Sequence, residues 1–169
     1  MIGEFDFINY FRDIAESLKE IQHTEAEKHF SRVGSIADLG EFLANMRVAK
    51  GYQLIVIDNL AGRFQDRRSD NLLVQPYFSL YLLKQVPRED YDDRETTIKA
   101  CTVVCKKILS KMFKDKREMT NGLTNLDRDS ISYNQAGPFG HNWHGLNINF
   151  TVIDDPDIVY NASDWQPIS

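Results

Sequence analysis

The segment 72–86, LLVQPYFSLYLLKQV, constrains the fold more than any other part of the chain. Apolar side chains recur at alternate positions along it, which is the pattern of a β-strand with one face in a core. Fifteen extended residues span about 50 Å, more than a usual strand. We therefore expect either that Pro76 marks a bulge or an edge position, or that one end projects beyond the sheet and can meet a partner.

Periodicity elsewhere predicts a small mixed fold. Helices are predicted at 5–22, at 36–49 and from Asp92 or Asp93 onward. Further strands are predicted at 29–33, at 54–57, from Ile131 onward and over 146–153. We predict a single α+β domain over 1–156, with a mainly antiparallel sheet of about four strands and helices mostly on one face, followed by a C-terminal docking tail over 157–169.

The bulk composition is that of an ordinary globular protein. With 169 residues, 42% hydrophobic and 27% charged, the chain can form one core, and no apolar run approaches the ~20 residues of a membrane span. The net charge of −5 argues against general nucleic-acid binding, and the first residues do not resemble a secretory signal. Cys101 and Cys105 lie four apart in a predicted helix, too far apart for an unstrained disulfide, so we expect reduced, buried thiols.

Candidate catalytic chemistry is sparse in this sequence. His141 and His144 in GHNWHG are the only closely spaced histidines, but no acidic residue lies between them and the segment 134–145, NQAGPFGHNWHG, is predicted to be a loop, so turn residues are favoured over a zinc site. There is no nucleophile elbow, Walker-type loop or dinucleotide-binding glycine motif. We expect no catalytic residues, no metal and no cofactor.

Several surface residues are candidates for protein contacts. Residues 59–71 form a polar segment longer than a hairpin needs, predicted to be a loop that is either mobile or functional. Large aromatic residues on a polar strand face or tail often mark contact surfaces, although a second layer of the same domain can also cover them. Lysines of the third helix form a positive face, while the tail is acidic. The interface candidates are Arg63, Arg67, Arg68, Tyr77, Tyr81, Lys107, Lys111, Lys114 and Trp165.

The order of these elements resembles the tail-terminator and tail-completion proteins of tailed bacteriophages and related neck proteins, which are small α+β domains that form rings. The matching segments are NLLVQPYFSLYLLKQV, DRETTIKACTVVCKKILSKMF and ISYNQAGPFGHNWHGLNINFTVI. The 36–49 helix and the tail after Pro156 depart from the simplest members. The resemblance implies a non-catalytic protein that joins or terminates the tail tube as a homo-oligomeric ring. Its partners would be identical copies and tail-tube or neck proteins, in the host cytoplasm during assembly and then in the virion, with no nucleic acid or membrane partner.

Two other classes of function remain open. A monomeric adaptor or regulatory module would bind another protein through the long strand and the YNASDWQ segment. A small metal-dependent enzyme would use His141 and His144, and would carry stoichiometric metal that a chelator removes. A monomer with a single tight partner would distinguish the adaptor from a ring.

Overall fold

The structure, a computed structural model, describes residues 5–46, 51–66, 72–87, 90–154 and 160–166. Within these ranges the helices are α1 (Phe7–Ser17), α2 (Ile36–Asn45) and α3 (Tyr91–Glu118). The strands are β1 (Phe30–Val33), β2 (Tyr52–Ile57), β3 (Gly62–Asp66), β4 (Leu72–Gln85), β5 (Leu126–Phe139) and β6 (Trp143–Val152). The α+β class is confirmed, and the described sheet has six strands rather than about four.

Strand β4 is the centre of the sheet. The strand order is β1-β2-β4-β6-β5, and only the β1–β2 pair is parallel. Strand β2 pairs with residues 80–84 of β4, β6 pairs with residues 77–85, and β3 pairs with residues 72–76. The first third of β4 therefore extends past β2 and pairs with β3 instead. This confirms the long strand, but its first residues are paired within the sheet and are not a free projecting end.

The main core lies between the sheet and two helices, α1 and α3. Even-numbered side chains of β4 and β6, such as Leu80, Leu82 and Phe150, pack there with Phe11 and Met112. Each of these five side chains is buried almost completely, and burial of one such side chain stabilises the fold by about 1.5–3 kcal/mol. The free thiols of Cys101 and Cys105 belong to the same core, as predicted.

The opposite face of the sheet has a smaller core under α2. Helix α2 connects the parallel strands β1 and β2, and its Leu39 and Leu43 cover Ile55, Leu83 and Trp143. Residues 80–83 of β4 are consequently buried on both faces. The alternating pattern predicted a single core face, and this half of the strand corrects that prediction because its odd positions are also apolar or aromatic.

The helix boundaries follow from capping residues. The side chains of Asp6, Ser35 and Asp90 accept hydrogen bonds from backbone N–H groups in the first turns of α1, α2 and α3. Asp90 therefore caps α3, two or three residues before the predicted Asp92 or Asp93. Helix α1 ends at Ser17, before the predicted residue 22, because Leu18 has an extended backbone. Part of the predicted 36–49 helix lies outside the described residues.

Two predicted loops contain strands. Within 59–71, the segment Gly62–Asp66 is strand β3, and the segment 134–145 belongs largely to a β5–β6 hairpin with a short turn. Strand β5 also begins at Leu126 rather than Ile131. The alternation rule missed these strands because β3 and much of β5 are exposed on both faces and so lack a core-facing apolar series.

Candidate interaction surface

Strand β3 and residues 72–76 of β4 form a two-stranded ribbon, here called the arm. Its register runs from Gly62 opposite Pro76 to Asp66 opposite Leu72. A Cβ atom at Gly62 would lie 2.9 Å from the carbonyl oxygen of Gln75, so the close approach of the two strands requires glycine there. On the other edge of the arm, Val74 and Asp154 exchange two backbone hydrogen bonds of 2.9 Å.

One face of the arm continues the apolar face of the main core. Phe78 still packs on Phe5 and Phe7 near the start of α1, with ring centroids 5.2 and 4.9 Å apart. Farther along the same face, Phe64 is 61% exposed and Leu72 is 38% exposed. The arm therefore presents apolar side chains to solvent where the helices no longer cover the sheet.

The other face of the arm is polar and ordered by side-chain hydrogen bonds. The buried Gln75 side chain accepts a 2.6 Å hydrogen bond from Arg63 Nε and donates a 2.6 Å bond to Gln65. Arg63 borders a groove of about 330 Å³ that also contains Tyr77 and Asp127. The structure thus places Arg63 on a strand and not on a loop, whereas Arg67 and Arg68 lie outside the described residues.

The two tyrosines of β4 have different environments. Tyr77 is 45% exposed and borders the polar groove, so it stays a candidate contact residue. Tyr81 is only 6% exposed, because α2 and the β5–β6 hairpin cover this end of the sheet, and its ring meets Phe139 edge-on at 5.8 Å. The expectation that Tyr81 lies on an open face is wrong, since a second layer of the same domain covers it.

The three candidate lysines of α3 have acidic partners within the chain. Lys107 pairs with Glu20, Lys114 lies 3.9 Å from Glu118, and Lys111 Nζ lies 2.6 Å from an oxygen of Asp115. These contacts offset the positive charge that the sequence suggested for this face. A role for the lysines in binding stays a prediction, and exposed pairs of this kind add little to stability.

Asp115 is the one strongly buried charge in this group, with 2% of its surface exposed. It also accepts a 2.7 Å hydrogen bond from the Tyr10 hydroxyl, which ties α1 to α3. Burial alone would raise the pKa of Asp115, but hydrogen bonds from Lys111, Tyr10 and Asn121 outweigh burial and lower it. This cluster ties helices together and does not border the groove beside Arg63 and Tyr77.

In the C-terminal segment, Trp165 is 65% exposed and stacks on Tyr160 with ring centroids 6.0 Å apart. Between them a short 3₁₀ turn, Ala162–Asp164, is capped by the side chain of Asn161. The exposed ring is compatible with the predicted docking role, which stays a prediction.

The two histidines considered as metal ligands have different environments in the fold. His141 lies in the exposed hairpin turn, where its Nε2 is 2.9 Å from the carbonyl oxygen of Ala44 in α2. His144 is buried in β6. No group of three or more His, Cys, Asp or Glu side chains in the described ranges is arranged to hold a metal ion. The Nδ1 atom of His23 accepts hydrogen bonds from the backbone N–H groups of His29 and Phe30.

Two further surface features were not predicted from the sequence. The neighbours of Phe64 in the sequence are polar, so no apolar pattern marks it. Its pairing opposite Val74 in the sheet places it on the apolar face of the arm. Strand β5 is an outer strand of the sheet, as is β1, and residues 132–135 of β5 are exposed, including Tyr133. An outer strand offers unpaired backbone groups to a partner.

Comparison of the chain with protein-family models, with curated proteins and with solved structures found no match. Among the described helices, none is both long enough and apolar enough to cross a membrane.

Proposed function

We propose that this chain is a structural protein of a tailed phage or prophage, which assembles as a ring at the tail end or the head–tail junction. The observation that carries the proposal is the arm, which extends past β2 and exposes Phe64 and Leu72 on its apolar face. Exposed apolar side chains on a paired ribbon are suited to bury against another protein. The phage assignment itself rests on the resemblance in element order.

A second copy of the chain is the occupant that we propose for the arm. The arm lies at one end of β4, while the surfaces at the other end, around α2 and the β5–β6 hairpin, are built from different residues. A contact between two different surfaces of identical copies is head-to-tail, and such contacts close into rings when the rotation between neighbours allows it. The polar groove beside Arg63 and Tyr77 would then border the contact and fix its orientation.

Solution mass tests this proposal. Light scattering after size exclusion, over a wide range of protein concentration, should give a mass that rises from 19.6 kDa to a defined multiple, and negative-stain microscopy should show rings. Phe64→Glu should keep the protein monomeric, because it places a charge in the contact. The matched control is Val103→Glu, which changes a similarly exposed apolar residue on α3 and should still assemble.

The phage role has its own test. Purified rings should bind one end of a phage tail tube, and Phe64→Glu should lose that binding. The proposal would be contradicted if the wild type stayed monomeric at every concentration and did not bind tail tubes. It would also be contradicted if Phe64→Glu assembled like the wild type.

The exposed outer strand favours one alternative, a monomeric adaptor. Residues 132–135 of β5 could accept an extended segment of another protein as an added strand. A monomer that binds one partner at a one-to-one ratio, and loses it in Tyr133→Lys but not in Phe64→Glu, would support the adaptor over the ring.

A further inference from the structure

A second cavity, of about 270 Å³, lies between the start of α3 and the β5–β6 hairpin, away from the arm. Asp90, Arg94, Asn142 and His144 form its polar walls. The proposed function makes no use of this cavity.

His144 is the most unusual residue of this wall. It is 6% exposed, and its Nδ1 is buried without a hydrogen-bond partner. Nδ1 lies against Gly137, since a Cβ atom added to that glycine would be 3.0 Å from it. Because glycine has no side chain, Gly137 offers Nδ1 no side-chain hydrogen bond. Within the described ranges neither ring nitrogen has a partner, and Nε2 is the nitrogen left to contact a molecule in the cavity. If Nδ1 carried the proton of the neutral ring, its N–H would be buried without an acceptor. The proton therefore belongs on Nε2, which makes Nε2 a hydrogen-bond donor.

Arg94 supplies a second donor to the same cavity. It lies half-buried in the first turn of α3, where its backbone N–H bonds to Asp90. Its guanidinium group makes no salt bridge with a carboxylate of the described residues. Burial lowers the pKa of His144, and the positive charge of Arg94 lowers it further by a smaller amount. Arg94 and His144 thus border the same cavity, and a negatively charged acceptor would accept hydrogen bonds from both.

The remaining wall residues restrict which anion fits. The Asp90 carboxylate accepts a 3.0 Å hydrogen bond from the backbone N–H of Asp92, so it already occupies the helix terminus and adds one negative charge to the wall. That charge disfavours a dianion such as phosphate. Val86 and Pro138 give the cavity an apolar side that suits a short hydrocarbon group.

We propose that this cavity binds a small organic carboxylate, whose oxygens accept hydrogen bonds from Arg94 and from Nε2 of His144. The hydrocarbon part of the ligand contacts Val86 and Pro138. A planar carboxylate matches the fork geometry of a guanidinium group, which lysine would not reproduce.

Nuclear magnetic resonance of the full chain tests the site, with propionate as the probe and inorganic phosphate as the comparison. Propionate should shift the ring signals of His144 in a saturable way. Arg94→Gln should weaken its binding roughly tenfold or more, as expected when a charge-assisted hydrogen bond is lost. The matched control is Arg128→Gln, which removes the same charge from a different groove and should leave binding unchanged.

The pKa of His144 gives an independent readout. The charged and titratable groups around its ring are Arg94, Asp90 and Tyr91 of α3, and Lys84, which lies opposite it on β4. A bound carboxylate partly offsets the positive charge near the imidazole, so propionate should raise this pKa in the wild type and not in Arg94→Gln.

Three results would overturn the proposal. They are the absence of a saturable shift with propionate, equal binding by the wild type and Arg94→Gln, and tighter binding of phosphate than of propionate. If Arg94→Gln does not give a folded spectrum, Arg94→Lys replaces it, and this variant should bind more weakly than the wild type because the fork geometry is lost. Equal binding by Arg94→Lys would also overturn it.

Discussion

The hydrogen bond between Tyr10 and Asp115 allows a quantitative prediction. It joins α1 to α3 over 2.7 Å, and its acceptor is a carboxylate that is 2% exposed. A hydrogen bond to a charged group contributes about 1.5–3 kcal/mol, and Tyr10→Phe removes it while the ring still fills its site. We expect the free energy of unfolding to fall by about 2 kcal/mol, which lowers Tm by roughly 4–8 °C in a chain of this size.

The pH dependence of this loss identifies the carboxylate as its source. The pKa of Asp115 is lowered in the folded state, so the stability it contributes is present above the unfolded pKa of about 3.9 and is lost as pH falls through the folded value. The loss in Tyr10→Phe should therefore be constant between neutral pH and about pH 5, and shrink only at the acidic end, where the carboxylate takes up a proton.

Urea unfolding, followed by the fluorescence of the buried Trp143, measures the loss. Tyr133→Phe is the matched control, since this exposed tyrosine should change stability by less than about 0.5 kcal/mol. A double-mutant cycle with Asp115→Asn should give a coupling of about 1 kcal/mol or more. Equal losses in Tyr10→Phe and Tyr133→Phe, or a coupling near zero, would refute the reasoning.

Three further predictions follow from burial and close packing. Burial raises the pKa of Cys101 to about 12 and that of Cys105 to about 11. Neither thiol should therefore react with a thiol reagent at pH 8 until urea unfolds the chain. Rapid labelling of the native protein would contradict this. Gly145→Ala should destabilise the fold by about 3 kcal/mol, because the new Cβ would lie 2.0 Å from the carbonyl oxygen of Leu82; a urea midpoint close to that of the wild type would count against this contact. Gly40→Ala should instead raise the urea midpoint, with a gain of about 0.5–1 kcal/mol, since Gly40 lies inside α2 with open space around it.

The parts of the fold that sequence predicted best are those with a core on one side. The alternation along β4 and the helical spacing of α3 both reflect burial, and the structure confirms both elements. Strand β3 could not be predicted in this way, because backbone pairing with β4 holds it in the sheet while nearly all its side chains face solvent. Its two end residues, Gly62 and Asp66, are residue types that usually indicate a turn.

The candidate surface was predicted only in part, for a similar reason. Tyr77 and Tyr81 occupy equivalent positions of the alternating pattern, yet α2 covers one and not the other. A pattern within one strand does not record where a helix from another part of the chain will lie. The same limit applies to His144, whose cavity depends on Arg94 from α3, fifty positions earlier in the chain.

The central place of β4 also affects how the chain is made. During synthesis, β2 and β3 can pair with one edge of β4 soon after it emerges, but the other edge waits for β6. At about 5–20 residues per second, synthesis of the intervening stretch takes roughly 3–13 s. Throughout that interval an apolar strand has one edge of backbone groups without a partner strand, which favours association between nascent chains. The yield of folded protein should therefore fall as expression rate and temperature rise, even where the folded protein itself is stable.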